Sequence, residues 1–308
     1  MMKLPLLTAV ALQLHSQIAL ADPATQVRWT ASVGDARVGT YVSSAWGFST
    51  NSHWIAGANS VVLIDTQFLP SAALQAVAAV ERIEAKKVKN ALVLHVNPDK
   101  FNGTPALQAA GIAVWTTAEV AAHIPAVHKL RSEWFAQRYA PDYPTTEPKP
   151  QLLPTDASTV TLGGIDLKIH RFGLACSKAH LVVEFERHVF VGDLVSPNNH
   201  AWLELGAIDP WIAVLQAIAA LQPLHVHSGR GPSAGIEAIT LQIEYLRTIK
   251  QLVLAEKPRK PDQETAISRV KKQVLARYPT HDFEVFLNLG LPQVWNRLAA
   301  SAAAAGGR

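Results

Sequence analysis

Cysteine is almost missing: Cys176 is the single one among 308 residues, so no internal disulfide can form and stability must come from a packed core. A lone thiol in an oxidising compartment is a liability unless it is buried or bound, which makes the place of Cys176 informative. Charge is sparse as well. Acidic and basic residues make up 17% of the chain and leave a formal balance of only +4. The basic residues are scattered rather than gathered on one stripe, which gives no electrostatic case for nucleic acid. Beyond the N-terminal segment, no stretch reaches the ~20 unbroken apolar residues of a membrane-spanning helix. Hydrophobic residues are plentiful at 49%, which argues against disorder and, at this length, for a sizeable core.

Residues 1–21 read as a secretory signal. Met1-Met2-Lys3 gives a short positive start, Leu4 to Leu14 is largely apolar, and Ala19-Leu20-Ala21 is a small-x-small cleavage site before Asp22. Its removal takes away Lys3 and no acid, leaving 27 bases against 24 acids, or +3. The mature chain, 22–308, is expected to be periplasmic or secreted, with no membrane span.

Hydrophobic patterning places the elements. Val27 to Thr66 alternates β-branched and aromatic residues with polar ones and reads as short antiparallel strands, Val61 to Ile64 being wholly apolar. Pro70 opens a helix to about Ala85. A strand Val88–Val96, a polar loop Asn97–Gly103, a short helix and a strand Ile112–Trp115 follow. The spacing then predicts a helix from Ala118 to Tyr139, kinked or broken at Pro125, and a proline-rich loop from Pro141 to Pro154. Strands recur at Thr159–Leu162, Ile165–Phe172, Leu181–Phe185 and His188–Val191, then a helix Pro210–Leu221 and a strand His225–His227. From about 233 to 308 the chain reads as a helical extension. Each half gives strands first and helices later, and two such halves make a four-layer α/β/β/α sandwich in one domain.

Polar clusters close four of these strands, the position where open α/β sheets place their sites. They are His95-Val96-Asn97-Pro98-Asp99-Lys100, Cys176-Ser177-Lys178-Ala179-His180, Gly192-Asp193, and Ser228-Gly229-Arg230-Gly231. In order and spacing, residues 30–240 resemble the metallo-β-lactamase superfamily, and Asp65 matches an Asp that family shows just upstream. The resemblance implies that family's sandwich and a two-metal hydrolytic centre built from a His-x-His-x-Asp-His loop, a lone His, a lone Asp after Gly, and a final His in a Gly-His-Gly turn.

The ligand set departs from that pattern. His95, Asp99 and Asp193 keep the family's residues, whereas Asn97, Lys100 and Arg230 stand where histidines belong and Cys176 replaces the lone His. His95, Cys176 and Asp193 are acceptable ligands for a single zinc ion. Lys100 and Arg230 are protonated at neutral pH and bind no metal; they would repel an ion and pair with Asp99 and Asp193. Cations polarise an anionic oxygen but cannot lower a water's pKa from about 15.7 to about 7, the work of a hydrolytic metal. Two readings follow, beside a third in which the helical C-terminal region has a structural or interaction role. One is a non-hydrolytic descendant without metal that holds a small anionic ligand or a periplasmic protein, using Lys100, Arg230, Asn97 and His180, with Asp99 the carboxylate left for any catalysis. The other is a one-zinc hydrolase of an ester, lactone or amide bond. Cys176 reads equally as an inert core thiol, and His225 and His227 share a strand face without an evident third ligand. Trp46, Trp54 and Trp202 read either as loops over the cleft or as packing.

Overall fold

The computed structural model describes residues 28–31, 34–256 and 263–306; the expected signal segment lies outside the described residues. Two sheets carry the fold. In the first, β1 (Arg28–Ala31), β2 (Val38–Val42), β3 (Asn51–Ala56) and β4 (Val61–Ile64) pair antiparallel in sequence order. β5 (Val88–Leu92), β6 (Ala113–Thr116) and β7 (Gln151–Leu152) then add in parallel beside β4. The second sheet runs in the order β12 (His225–Ser228), β11 (His188–Gly192), β10 (His180–Phe185), β9 (Ile165–Phe172), β8 (Thr159–Leu162), with β11 and β12 parallel.

Burial explains why these segments are strands. β9 alternates buried and exposed residues over Ile165–Lys168, so one face meets the core, whereas β4, β10 and β11 are buried throughout, the pattern of strands covered on both faces. Val62 and Ile64 of the first sheet share one core with Leu167, Leu181, Val183 and Phe190 of the second, so the sheets lie face to face. The helix Pro70–Glu84 adds Ala73, Ala76 and Val80 to that core. Val182, Val189 and Val191 point the other way, into a second core with Trp211, Leu246 and Leu287 of the helices Ile208–Ala219, Glu237–Ala255 and Val285–Gly306. Each buried Leu, Val or Phe contributes about 1.5–3 kcal/mol, which accounts for cohesion without a disulfide. The arrangement is the expected α/β/β/α sandwich, with the C-terminal helices packed on its second sheet.

The stretch expected as a loop from Pro141 to Pro154 includes the short strand β7, and two further boundaries that differ from expectation shape the site. The strand expected over Val88–Val96 ends at Leu92. Val93 still donates to Trp115, but the chain then crosses to the other sheet: Leu181 donates to the Leu94 carbonyl at 2.6 Å, and His95 and His180 form an isolated antiparallel bridge. The helix expected over Ala118–Tyr139 is two, Ala118–Ala121 and Ile124–Phe135. Of the two outcomes expected at Pro125, a kink or a break, the structure shows the break: Pro125 lies in the first turn of the second helix, where a residue needs no amide hydrogen. No described helix is long and apolar enough to cross a membrane.

Candidate functional site

The polar strand ends meet at one edge of the sandwich. Asp99 and Lys100 sit on a single helical turn, Pro98–Phe101, anchored by Thr66, whose amide and hydroxyl both donate to the Lys100 carbonyl at 2.9 Å. Asp193 follows β11, and Arg230 follows β12. On the far side the Asn51 amide donates to the Gly229 carbonyl at 2.9 Å, tying β3 to that last loop. Glycine is required twice here. A Cβ on Gly229 would lie 2.1 Å from Asp193 Oδ1 and 2.6 Å from Lys100 Nζ, and one on Gly192, at φ +56°, would press on the His95 ring.

These residues form a closed ionic cluster. Lys100 Nζ lies 2.9 Å from Asp99 Oδ2 and 3.0 Å from Asp193 Oδ1. Arg230 spans the same two carboxylates, Nη2 to Asp99 Oδ2 at 2.6 Å and Nη1 to Asp193 Oδ2 at 3.0 Å, and its Nε donates to the Phe48 carbonyl. Asn97 donates to Asp193 Oδ2 at 3.3 Å. Two acids and two bases cancel, and Lys100 is 0% exposed. Burial disfavours all four charges, yet the two cations hold Asp99 and Asp193 below the usual carboxylate range, and the carboxylates push Lys100 and Arg230 upward. Asp65, whose Oδ1 accepts the Leu94 amide at 2.9 Å, has no such close cation, and burial pushes it up to about 8.

Beside this cluster lies a neutral group. His95 Nε2 accepts the Asp193 amide at 3.1 Å, which leaves Nδ1 to donate to Ser177 Oγ at 3.1 Å. His180 Nδ1 donates to the Gly173 carbonyl at 2.8 Å, so its Nε2 accepts from the Ser177 amide and the Cys176 thiol, both at 3.2 Å. Burial lowers His95 to about 4 and His180 to about 3, and it raises the Cys176 thiol. The ligand atoms of His95, Cys176 and His180 lie within 4.8 Å of one another. Asp193, expected as the third member of a zinc remnant, is engaged by Lys100 and Arg230 instead.

Two metals do not fit this arrangement. An ammonium and a guanidinium stand at hydrogen-bond distance from both carboxylates that would hold the ions. In the neutral group the ring lone pairs already accept N–H and S–H hydrogens, and a thiol pushed upward resists becoming the thiolate that zinc requires.

Above the ionic cluster opens a narrow aromatic cleft. Phe48, Phe68, Phe135, Trp202 and Phe286 wall it; Asn97, Asp99, Arg230 and Arg131 supply its polar edge. Of the residues expected to bind an anion, Arg230 and Asn97 reach this cleft, Lys100 lies beneath it, and His180 faces Cys176. Sequence reasoning missed Arg131 and the phenylalanines, which carry no motif; Phe286, from the last described helix, stacks edge-on with Trp202 at 4.8 Å between ring centres. Trp46 packs on Tyr139 and Trp54 lies in the core between β2 and the helix Pro70–Glu84. His188 stacks with His225 and His227 at 4.5 and 5.2 Å, away from the cleft.

A family model for the metallo-β-lactamase superfamily matches residues 45–236. Solved structures with the same fold include a metallo-β-lactamase from Pontibacter korlensis (17% identity, TM-score 0.56, covering 72% of this chain and 99% of that one). Another is a metallo-β-lactamase of Pseudomonas aeruginosa in its mono-zinc form (18%, 0.57, 73% and 97%). A third is from Erythrobacter litoralis, with β-mercaptoethanol in its active site (18%, 0.57, 74% and 99%). No curated protein matches the chain.

Proposed function

The chain belongs to the metallo-β-lactamase superfamily, and from that premise we propose that it is an exported, metal-independent member that holds a small organic anion in the aromatic cleft rather than hydrolysing a bond. Members of the family usually bind zinc. Here the observation that carries the reading is the bridging of Asp99 and Asp193 by Lys100 and Arg230: the two cations supply the positive charge of one divalent ion, but no Lewis acidity and no bound hydroxide. The cluster serves as a rigid, neutral floor, and the polar edge above it orients the ligand. Export, with a periplasmic or secreted mature chain, belongs to the same reading. The test is binding of a panel of small carboxylates with EDTA and, separately, with added zinc. Binding that survives EDTA unchanged supports the reading; binding or ester, lactone or amide hydrolysis that appears only with zinc sinks it.

A second reading is a one-zinc hydrolase. It is favoured by the convergence of His95, Cys176 and His180, and it requires a metal ion to displace the hydrogen bonds these residues now make to Ser177 and Asp193. Under it, Cys176→Ala removes both bound zinc and activity.

A further inference from the structure

Away from the aromatic cleft, four side chains form a relay whose hydrogens run in one direction. Asp35 precedes β2, His188 opens β11, His227 lies on the parallel neighbour β12, and Ser233 follows β12. Asp35 Oδ2 lies 2.7 Å from Arg37 Nη2, and that guanidinium holds the carboxyl down to about 2. Asp35 is thus ionised and only accepts, so His188 Nε2, 3.4 Å from Oδ2, carries that ring's hydrogen. His188 Nδ1 is then an acceptor and takes the His227 Nε2 hydrogen at 2.9 Å. That leaves a lone pair on His227 Nδ1, and Ser233 Oγ donates to it at 2.8 Å. Burial lowers both rings below the ordinary imidazole value, so neither is protonated at neutral pH. The relay ends at open space. His227 is buried, but Ser233 is partly exposed and lines a polar cavity of about 510 Å³ that shares only Arg230 with the aromatic cleft. Small-molecule sites run from about 300 to 1,000 Å³. Ser44, Ser49 and Asn198 line the same cavity, and their side chains have no hydrogen-bond partner among the described residues.

We infer that Ser233 is a nucleophile, with His227 as its base, that cleaves a small polar ester held in this second cavity. Ser233 Oγ bonds to the carbonyl carbon and its proton moves to His227 Nδ1. That proton leaves with the alcohol as the ester C–O bond breaks. Water then takes the acyl group from Ser233 by the same path, so ester and water give acid and alcohol. His188 and Asp35 touch no substrate; they are positioning residues that hold His227 in the accepting tautomer. The inference goes beyond the reading of the aromatic cleft, which it leaves as a holding site, and does not rest on it.

In the experiment, the full protein in EDTA is treated with diisopropyl fluorophosphate and the adduct is mapped by mass, while hydrolysis of 4-nitrophenyl acetate and 4-nitrophenyl octanoate is followed in parallel. One adduct per chain on Ser233 is expected, and it should abolish acetate hydrolysis. Acetate should be favoured over octanoate by at least about tenfold in kcat/KM, because the longer chain would strip water from the hydroxyls and carboxamide of the wall. Ser233→Ala and His227→Gln should each lower kcat at least about 100-fold. Asp35→Asn should lower kcat at least about tenfold with KM unchanged. Near-ultraviolet circular dichroism confirms that each variant is folded; if His227→Gln is not, Ser233→Ala and the adduct on the wild-type chain decide. No adduct, an adduct elsewhere, or a wild-type rate in Ser233→Ala overturns the nucleophile. Octanoate cleaved as fast as acetate overturns the substrate class, and an Asp35→Asn variant that changes KM alone overturns the positioning role. Hydrolysis that needs zinc overturns this inference and the metal-independent reading together, whereas zinc-free hydrolysis untouched by Ser233→Ala overturns this inference alone.

Discussion

Two neighbouring groups of buried polar side chains lie at the strand ends, and they are stabilised in opposite ways. Asp99, Lys100, Asp193 and Arg230 form a cluster of four buried charges that sum to zero. His95, Cys176 and His180, which meet that cluster where His95 Nε2 accepts the Asp193 amide at 3.1 Å, carry no charge and are held by hydrogen bonds. The difference follows from the charge each carries. Carboxylates buried without a counter-ion are costly, and Lys100 and Arg230 supply the cations. Neutral imidazoles need no counter-ion, only N–H, S–H and O–H partners, which Ser177, Cys176 and the Asp193 amide provide.

That contrast is open to attack first at Lys100. Lys100→Met strands two buried carboxylates with one guanidinium, and stability should fall by about 3–5 kcal/mol in urea denaturation. Adding Asp193→Asn restores neutrality and should recover part of the loss; a double variant no more stable than Lys100→Met would show that charge balance is not what the lysine supplies.

A smaller effect separates the two groups by pH. The unfolded chain protonates its histidines near the ordinary 6.5, whereas His95 and His180 resist until about 4 and about 3. Stability therefore falls as pH drops from about 6.5 toward 4, by on the order of 1–3 kcal/mol for each such ring. Asp99 and Asp193 have the opposite timing: their folded pKa values lie below the unfolded ones, so their contribution is complete above about 4 and is lost only in stronger acid. Urea midpoints between about pH 7 and 4.5 should thus decline in wild type and decline less in His180→Gln, if that variant folds. An equal decline in both would remove the histidine from the account.

The smallest effect is expected at the thiol. Cys176 is 2% exposed and pushed above the ordinary thiol range by burial, so iodoacetamide should label it only on unfolding, and Cys176→Ala should cost about 1 kcal/mol. Rapid labelling of the native chain would mean an accessible thiolate and would favour the zinc reading.

Much of this is legible in the sequence. Periodicity suggested the sandwich and the resemblance carried by the residues at strand ends fixed it, and the same resemblance, which sets Lys100 and Arg230 at ligand positions beside Asp99 and Asp193, implied their pairing. The identity of the third donor beside His95 and Cys176 is not legible. His180 is placed there because the chain leaves β5 at Leu92 and crosses sheets, a register change with no mark in an apolar run. Arg131 reads in sequence as one more solvated charge on a helix, and Phe286 lies far down an extension whose apolar spacing serves packing and the cleft equally. Long-range juxtaposition, not local pattern, decides both.

Elemental analysis of the full chain, purified without chelator from zinc-supplemented cells, tests the central claim most directly. The expected result is no stoichiometric zinc, iron or manganese in the folded protein, and a melting temperature that EDTA leaves unchanged. One tightly held metal ion per chain, lost together with Cys176 or His180, would contradict it.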